Sequence, residues 1–152
     1  MAKRRQSRSA HKRYISIPHC VLDSTSYADL NGSAIKLLTL IVRQWNGYNN
    51  GNLTCTWDQM KPYFGGQDTM RSALKALIKH RLIEVTGTGS TSRKGGLPPV
   101  LYAITWESVD EYRGQGQMTT KPTLSPIRND WNKINGHKIS KSPVLKIGAN
   151  TS

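Results

Sequence analysis

Acidic residues are scarce in this chain of 152 residues: nine Asp and Glu stand against 22 Lys and Arg, a formal net charge of +13. The nine acids form no close pair on a shared face, so paired-carboxylate acid–base chemistry lacks its residues. Cysteine is as sparse. Cys20 and Cys55 lie far apart, with no CxxC or Cys/His spacing around them, which leaves a zinc site or a disulfide framework unsupported and reads as two reduced, inert thiols. No apolar run approaches the roughly 20 residues that span a bilayer, and the basic start MAKRRQSRSAHKR leads into no apolar h-region. The expectation is a soluble, unprocessed, cytoplasmic protein without a membrane partner. There is no phosphate-cradling GxxxxGK[ST]. His19 and Cys20, read as neighbours on an extended segment, point to opposite faces and cannot work as base and nucleophile. No enzyme, no cofactor and no metal site is expected.

What the chain does have is positive charge at its ends. So large an excess of one sign attracts polyanions, nucleic acid before an anionic membrane. Residues 1–13 carry Lys3, Arg4, Arg5, Arg8, Lys12 and Arg13 with no acid and almost nothing apolar, a composition that predicts a disordered basic arm. From residue 111 the chain turns polar and rich in Gly and Pro, and beyond Tyr112 it holds seven basic residues against Asp130 alone, predicting a second disordered basic tail over 111–152. The periodic hydrophobicity lies between them, in 14–110, enough for one modest core.

Period and punctuation place the elements of that segment. ISIPHCVLD reads as extended and broken by Pro18, and STSYADL as two helical turns capped by Ser24. NGSAIKLLTLIVRQWNG sets Ala34, Ile35, Leu38, Ile41, Val42 and Trp45 at helical spacing between an Asn31 cap and a Gly47 stop. A turn and a short strand end near Cys55. Thr56 and Gln59 have capping-box spacing, Trp57, Met60 and Phe64 share a face, and Pro62 ends that helix early. Gly65 and Gly66 then turn the chain into QDTMRSALKALIKH, with Met70, Ala73, Leu74, Leu77 and Ile78 as the inner face. Ile83–Thr88 and Val100–Trp106 alternate as strands around GTGSTSRKGGLPP, which is too long for a tight hairpin.

Helix, short strand, helix, turn, helix, strand, loop, strand is the order of a winged helix-turn-helix, an α+β fold in which the second helix of the pair commonly enters the DNA major groove. At about 100° per residue Asp68, Arg71, Ser72, Lys75 and Lys79 fall opposite the apolar stripe. Gln67 and Thr69 begin the helix over 67–80, where base edges are usually reached, and Arg71 suits a bidentate contact to guanine. Arg93 and Lys94, at the tip of the loop, would meet a neighbouring backbone or minor groove. Each feature has a plainer explanation. A two-faced helix is usually a solvated surface helix, loop cations are ordinary solvated charges, and Asp68 suits the helix dipole.

The segments IPHCVLDS, NGYNNG, TMRSAL, RLIEV and YAITW together resemble a family of helix-turn-helix proteins of bacterial genomes, phages and integrated elements, over about residues 14–110. A looser similarity runs to the origin-binding domain of lambda-type phage replication initiators, through the order of helices and Trp45-Asn46 beside the turn. The resemblance implies a duplex-DNA-binding, nucleoid-associated protein acting as transcription regulator or replication-initiation factor of a mobile element. Two departures affect docking geometry. His80-Arg81 stands where such helices often close on glycine, so either a non-glycine residue takes a left-handed conformation or the helix ends differently. Pro62 sits in the bracing helix. An RNA-binding or ribosome-associated role and a winged helix used for protein contacts remain as alternatives. Trp131, Val144, Leu145 and Ile147 stand out in the polar tail, either as isolated apolar residues or as a short motif for a replication or transcription partner.

Overall fold

The computed structural model describes residues 13–91, 95–128 and 131. Its order is α1 (His19–Leu22), α2 (Thr25–Ala28), α3 (Gly32–Val42), β1 (Leu53–Thr54), α4 (Trp57–Met60), α5 (Gln67–Lys79), β2 (Ile83–Thr88), β3 (Val100–Ile104) and β4 (Gln117–Met118). The described residues form a small α+β fold of five helices and one antiparallel sheet, ordered β1-β3-β2-β4. Among the described residues no helix is long and apolar enough to cross a membrane.

Caps set the helix starts as the sequence predicts. The Asn31 side chain accepts the Ala34 N–H at the start of α3, Ser24 accepts that of Tyr27 at the start of α2, and Thr56 and Gln59 close a reciprocal capping box on α4. α4 ends at Met60, two residues before Pro62. Residues 19–22, expected to be extended, are instead helical behind Pro18, whose fixed φ of −61° lets it act as the N-cap. His19 and Cys20 therefore sit on one helical turn rather than on a strand. α3 also stops earlier than its apolar spacing suggests. Gln44 and Trp45 bond back to Ile41 and Val42 in tighter turns before Gly47 takes φ +97°.

The core forms where α3 and α5 pack on the sheet. Leu37, Leu38, Ile41, Leu53, Leu77, Leu82, Ile83 and Ile104 are at most 1% exposed. Strand alternation puts Tyr102 and Ile104 in this cluster and turns Leu101 and Ala103 to the other face, where both are buried as well. The chain after β3 lies on that face. Arg128 pairs with Glu84, the register neighbour of Ala103, at 3.1 Å, and its backbone N–H donates to the Thr105 carbonyl.

The body thus extends past the boundary expected near residue 110. β4 pairs with β2 through Gly87↔Met118 and Thr88↔Gln117. A Cβ on Gly87 would stand 2.3 Å from the Gln117 carbonyl oxygen, so only glycine lets the strands meet there. Thr86 bulges between the paired residues Val85 and Gly87, and its carbonyl accepts the backbone N–H groups of Thr119 and Thr120. Trp131 is part of the core, 6% exposed. Its indole N–H donates to Thr105 Oγ1 at 3.0 Å, and its carbonyl accepts the hydroxyls of Thr25 (2.9 Å) and Ser26 (2.6 Å). Val144, Leu145 and Ile147 lie outside the described residues.

The NGYNNG segment owes its residues to this architecture. Asn50 is 1% exposed; its side chain accepts the Ile104 N–H and donates to the carbonyls of Ile104 and Ser108, tying the turn to the end of β3. Gly51 has φ +101°, and a Cβ there would lie 2.9 Å from Val109. Gln44 completes the edge of β1, accepting from the Thr54 N–H and donating to the Thr54 carbonyl as a paired strand would.

Candidate nucleic-acid interface

α5 lacks a side-chain cap. Gly66 is extended, and Asp68 in the first turn opposes the helix dipole's positive end. The approach to α5 is held from α3: Lys36 Nζ donates to the Tyr63 carbonyl at 2.5 Å and lies 5.5 Å from the centre of the Phe64 ring, while Phe64 is buried. Met70, Ala73 and Leu77 then fix the helix's rotation by burying one side.

Two expected inner positions differ. Ile78 is 38% exposed and Leu74 is half-buried, so the stripe facing α3 is narrower than the sequence implies. The close of α5 takes the first of the two routes open to it. Arg81 adopts φ +57°, with its N–H bonded to the Ile78 carbonyl and the Leu82 N–H to that of Leu77. This is the Schellman pattern with arginine where glycine is usual, a conformation costing about 1–2 kcal/mol. Thr105 Oγ1 helps to hold it by donating to the Arg81 carbonyl at 2.8 Å.

The opposite side of α5 brings the expected site residues together. Gln67, Asp68, Thr69, Arg71, Ser72, Lys75 and Lys79 are all exposed. Arg71 Nη1 rests 3.8 Å from Asp68 Oδ1, with the two side chains 58% and 99% exposed, an ion pair too solvated to hold the guanidinium in place. Lys75 and Lys79 have no carboxylate partner among the described residues. Residues 14–131 contain 12 Lys and Arg against nine Asp and Glu, so the body carries only a small excess, and three of those 12 cations stand on this one face. The other expected contributors are placed less fully. Arg13 is described and exposed; Lys3, Arg4, Arg5, Arg8, Lys12, Arg93 and Lys94 lie outside the described residues.

No group of three or more His, Cys, Asp or Glu among the described residues is arranged to hold a metal. Cys55 is a free thiol whose pKa burial pushes up to about 11, which keeps it protonated and unreactive. Glu107 is held above the usual carboxylate range by burial and by the Asp110 charge beside it. Sequence reasoning missed Gly87, and it singled out the NGYNNG segment and Trp131 without finding what Asn50, Gly51 and Trp131 hold in place. The repeated asparagine and the lone tryptophan were signals without a partner until the sheet brought their partners near. No protein-family model matches the chain, and searches of curated proteins and of solved structures return no match.

Proposed function

We propose that this chain is a winged helix-turn-helix protein that binds duplex DNA, with α4 bracing and α5 reading the major groove. The observation that carries the proposal is the outward face of α5, where Gln67, Thr69, Arg71, Ser72, Lys75 and Lys79 stand exposed together opposite a buried stripe. The order α3-β1-α4-α5-β2-β3 and the sheet order β1-β3-β2 support it, since this arrangement braces one helix of a pair and leaves the other free. Arg71 is the base-reading residue, and Lys75 and Lys79 lie nearer phosphates. Arg93 and Lys94, in the loop between β2 and β3, grip the adjoining backbone. The two basic ends of the chain add sequence-independent attraction, because residues 1–13 and 132–152, outside the body, hold ten of the 22 Lys and Arg. In the cell this reading makes the chain a nucleoid-associated transcription regulator or replication-initiation factor of a mobile element. Binding competition among duplex DNA, matched RNA duplex and single strands tests the partner. Preference for DNA duplex is expected, and preference for RNA duplex would transfer the proposal to a ribosome-associated role. Selection of bound genomic fragments then separates promoters from an iterated origin.

A further inference from the structure

At the far end of α3 from the α4–α5 turn, residues 13–16 and 42–47 enclose a groove of about 740 Å3. Its charged residues are Arg13 and Arg43, and no carboxylate lines it. Both guanidinium-bearing residues are exposed, and neither has an ion-pair partner among the described residues. Tyr14 borders the groove and is 84% exposed. Trp45 also lines it while packing against the core, and its indole N–H is buried away from the groove. Two guanidiniums without an ion-pair partner among the described residues, beside the open Tyr14 ring and with no acid in the lining, form a combination that suits a phosphate and an unstacked base together. A duplex offers phosphates alone, since its bases are stacked on one another, whereas a flexible strand offers both.

We propose that this groove is a second nucleic-acid site that takes a single strand, with Arg13 and Arg43 on phosphates and Tyr14 stacked on a base. It lies apart from the α5 surface. Lys36, which holds the turn before α5, is seven residues from Arg43 along α3, about 10 Å of helix rise. The proposal goes beyond duplex binding and does not depend on it. A chain that holds a duplex on one face and a strand at the other end favours sites where the duplex opens.

The test uses the full chain, fluorescence anisotropy, and three labelled probes: a 12-nucleotide oligo-dT, the matching oligo-U, and a duplex. Tyr14→Ala should weaken binding of one or both single strands by about 5- to 150-fold, the range for losing one stacked base, and leave duplex affinity within about twofold. Arg43→Ala, which leaves the basic arm intact, should flatten the single-strand salt slope by about 0.7, one phosphate contact. The strand that responds identifies DNA or RNA as the source. Unchanged binding of both single strands by Tyr14→Ala, or an equal loss on strand and duplex in either variant, would overturn the proposal. Tyr14 is too exposed for its loss to unfold the chain, and thermal melts check this. Arg71→Ala serves as the contrast: it affects the duplex reading and leaves the strand arm unchanged, so the two readings fail separately.

Discussion

Replacing Trp131 with alanine tests whether the chain beyond β3 belongs to the folding unit. The side chain is 94% removed from solvent and packs into the same cluster as α3 and the sheet, so its loss combines a large transfer term with a cavity, about 3–5 kcal/mol for an aromatic-to-alanine change. The indole N–H bond to Thr105 disappears with it. Trp131→Phe separates the two contributions, because it keeps most of the packing and loses the bond, at about 1 kcal/mol. A domain of this size has a total stability of about 5–15 kcal/mol, so Trp131→Ala should remove a large share of it and lower Tm by more than about 10 °C, with Trp131→Phe much nearer the parent. Urea and thermal melts of both variants, and of a chain ending at residue 112, measure this. If Trp131→Ala and the shortened chain melted as the parent does, the tryptophan would not be docked on Thr25, Ser26 and Thr105, and the chain past residue 110 would be an appendage after all.

Three further outcomes follow from the same contacts. Gly87→Ala should cost about 1–3 kcal/mol and speed amide exchange at Thr119, since the new Cβ meets the β4 backbone; unchanged exchange would mean β4 is not paired there. Leu77→Ala should cost about 2–5 kcal/mol and Leu74→Ala distinctly less, because Leu77 is fully buried and Leu74 only half; equal melts would contradict the assigned rotation of α5. Glu107→Gln should be slightly more stable than the parent at neutral pH. A carboxyl whose folded pKa is raised binds its proton more tightly in the folded state, so ionisation costs stability above that pKa, and the gap should close as pH falls below the ordinary glutamate range. A gap that widened toward acid would reverse the sign of the argument.

Much of the helical part of this fold is written locally. Asn31, Ser24 and the Thr56/Gln59 box each act within four residues, so capping rules find them, and Pro62 ends α4 for reasons carried in its own ring. The bounds of Ile83–Thr88 are legible to the residue, while the bulge at Thr86 breaks the alternation the sequence suggests. The return of the chain is not local. Nothing in a polar, glycine-rich segment announces that Gly87 and Met118 will pair or that Trp131 will meet Thr105, because each partner lies about 26 or more residues away. The same holds for Asn50, whose acceptors follow 54 and 58 residues later. Of the candidate site, the outer face of α5 was legible from helical period alone, since exposure there depends only on which side is apolar. Tyr14 and Arg43 were invisible as a pair, for only the fold brings the start of the body beside the end of α3.

The central claim is that α5 reads a duplex, and Arg71→Ala tests it most directly. Affinities of parent and variant are measured for the selected site and for random duplex at one salt concentration, with thermal melts alongside. Arg71 is well exposed and only loosely paired, so the melts should coincide. Loss of a bidentate base contact should cost about 1–3 kcal/mol at the selected site and little on random duplex. Equal affinity of parent and variant for the selected site, with coincident melts, would mean that this helix does not read DNA.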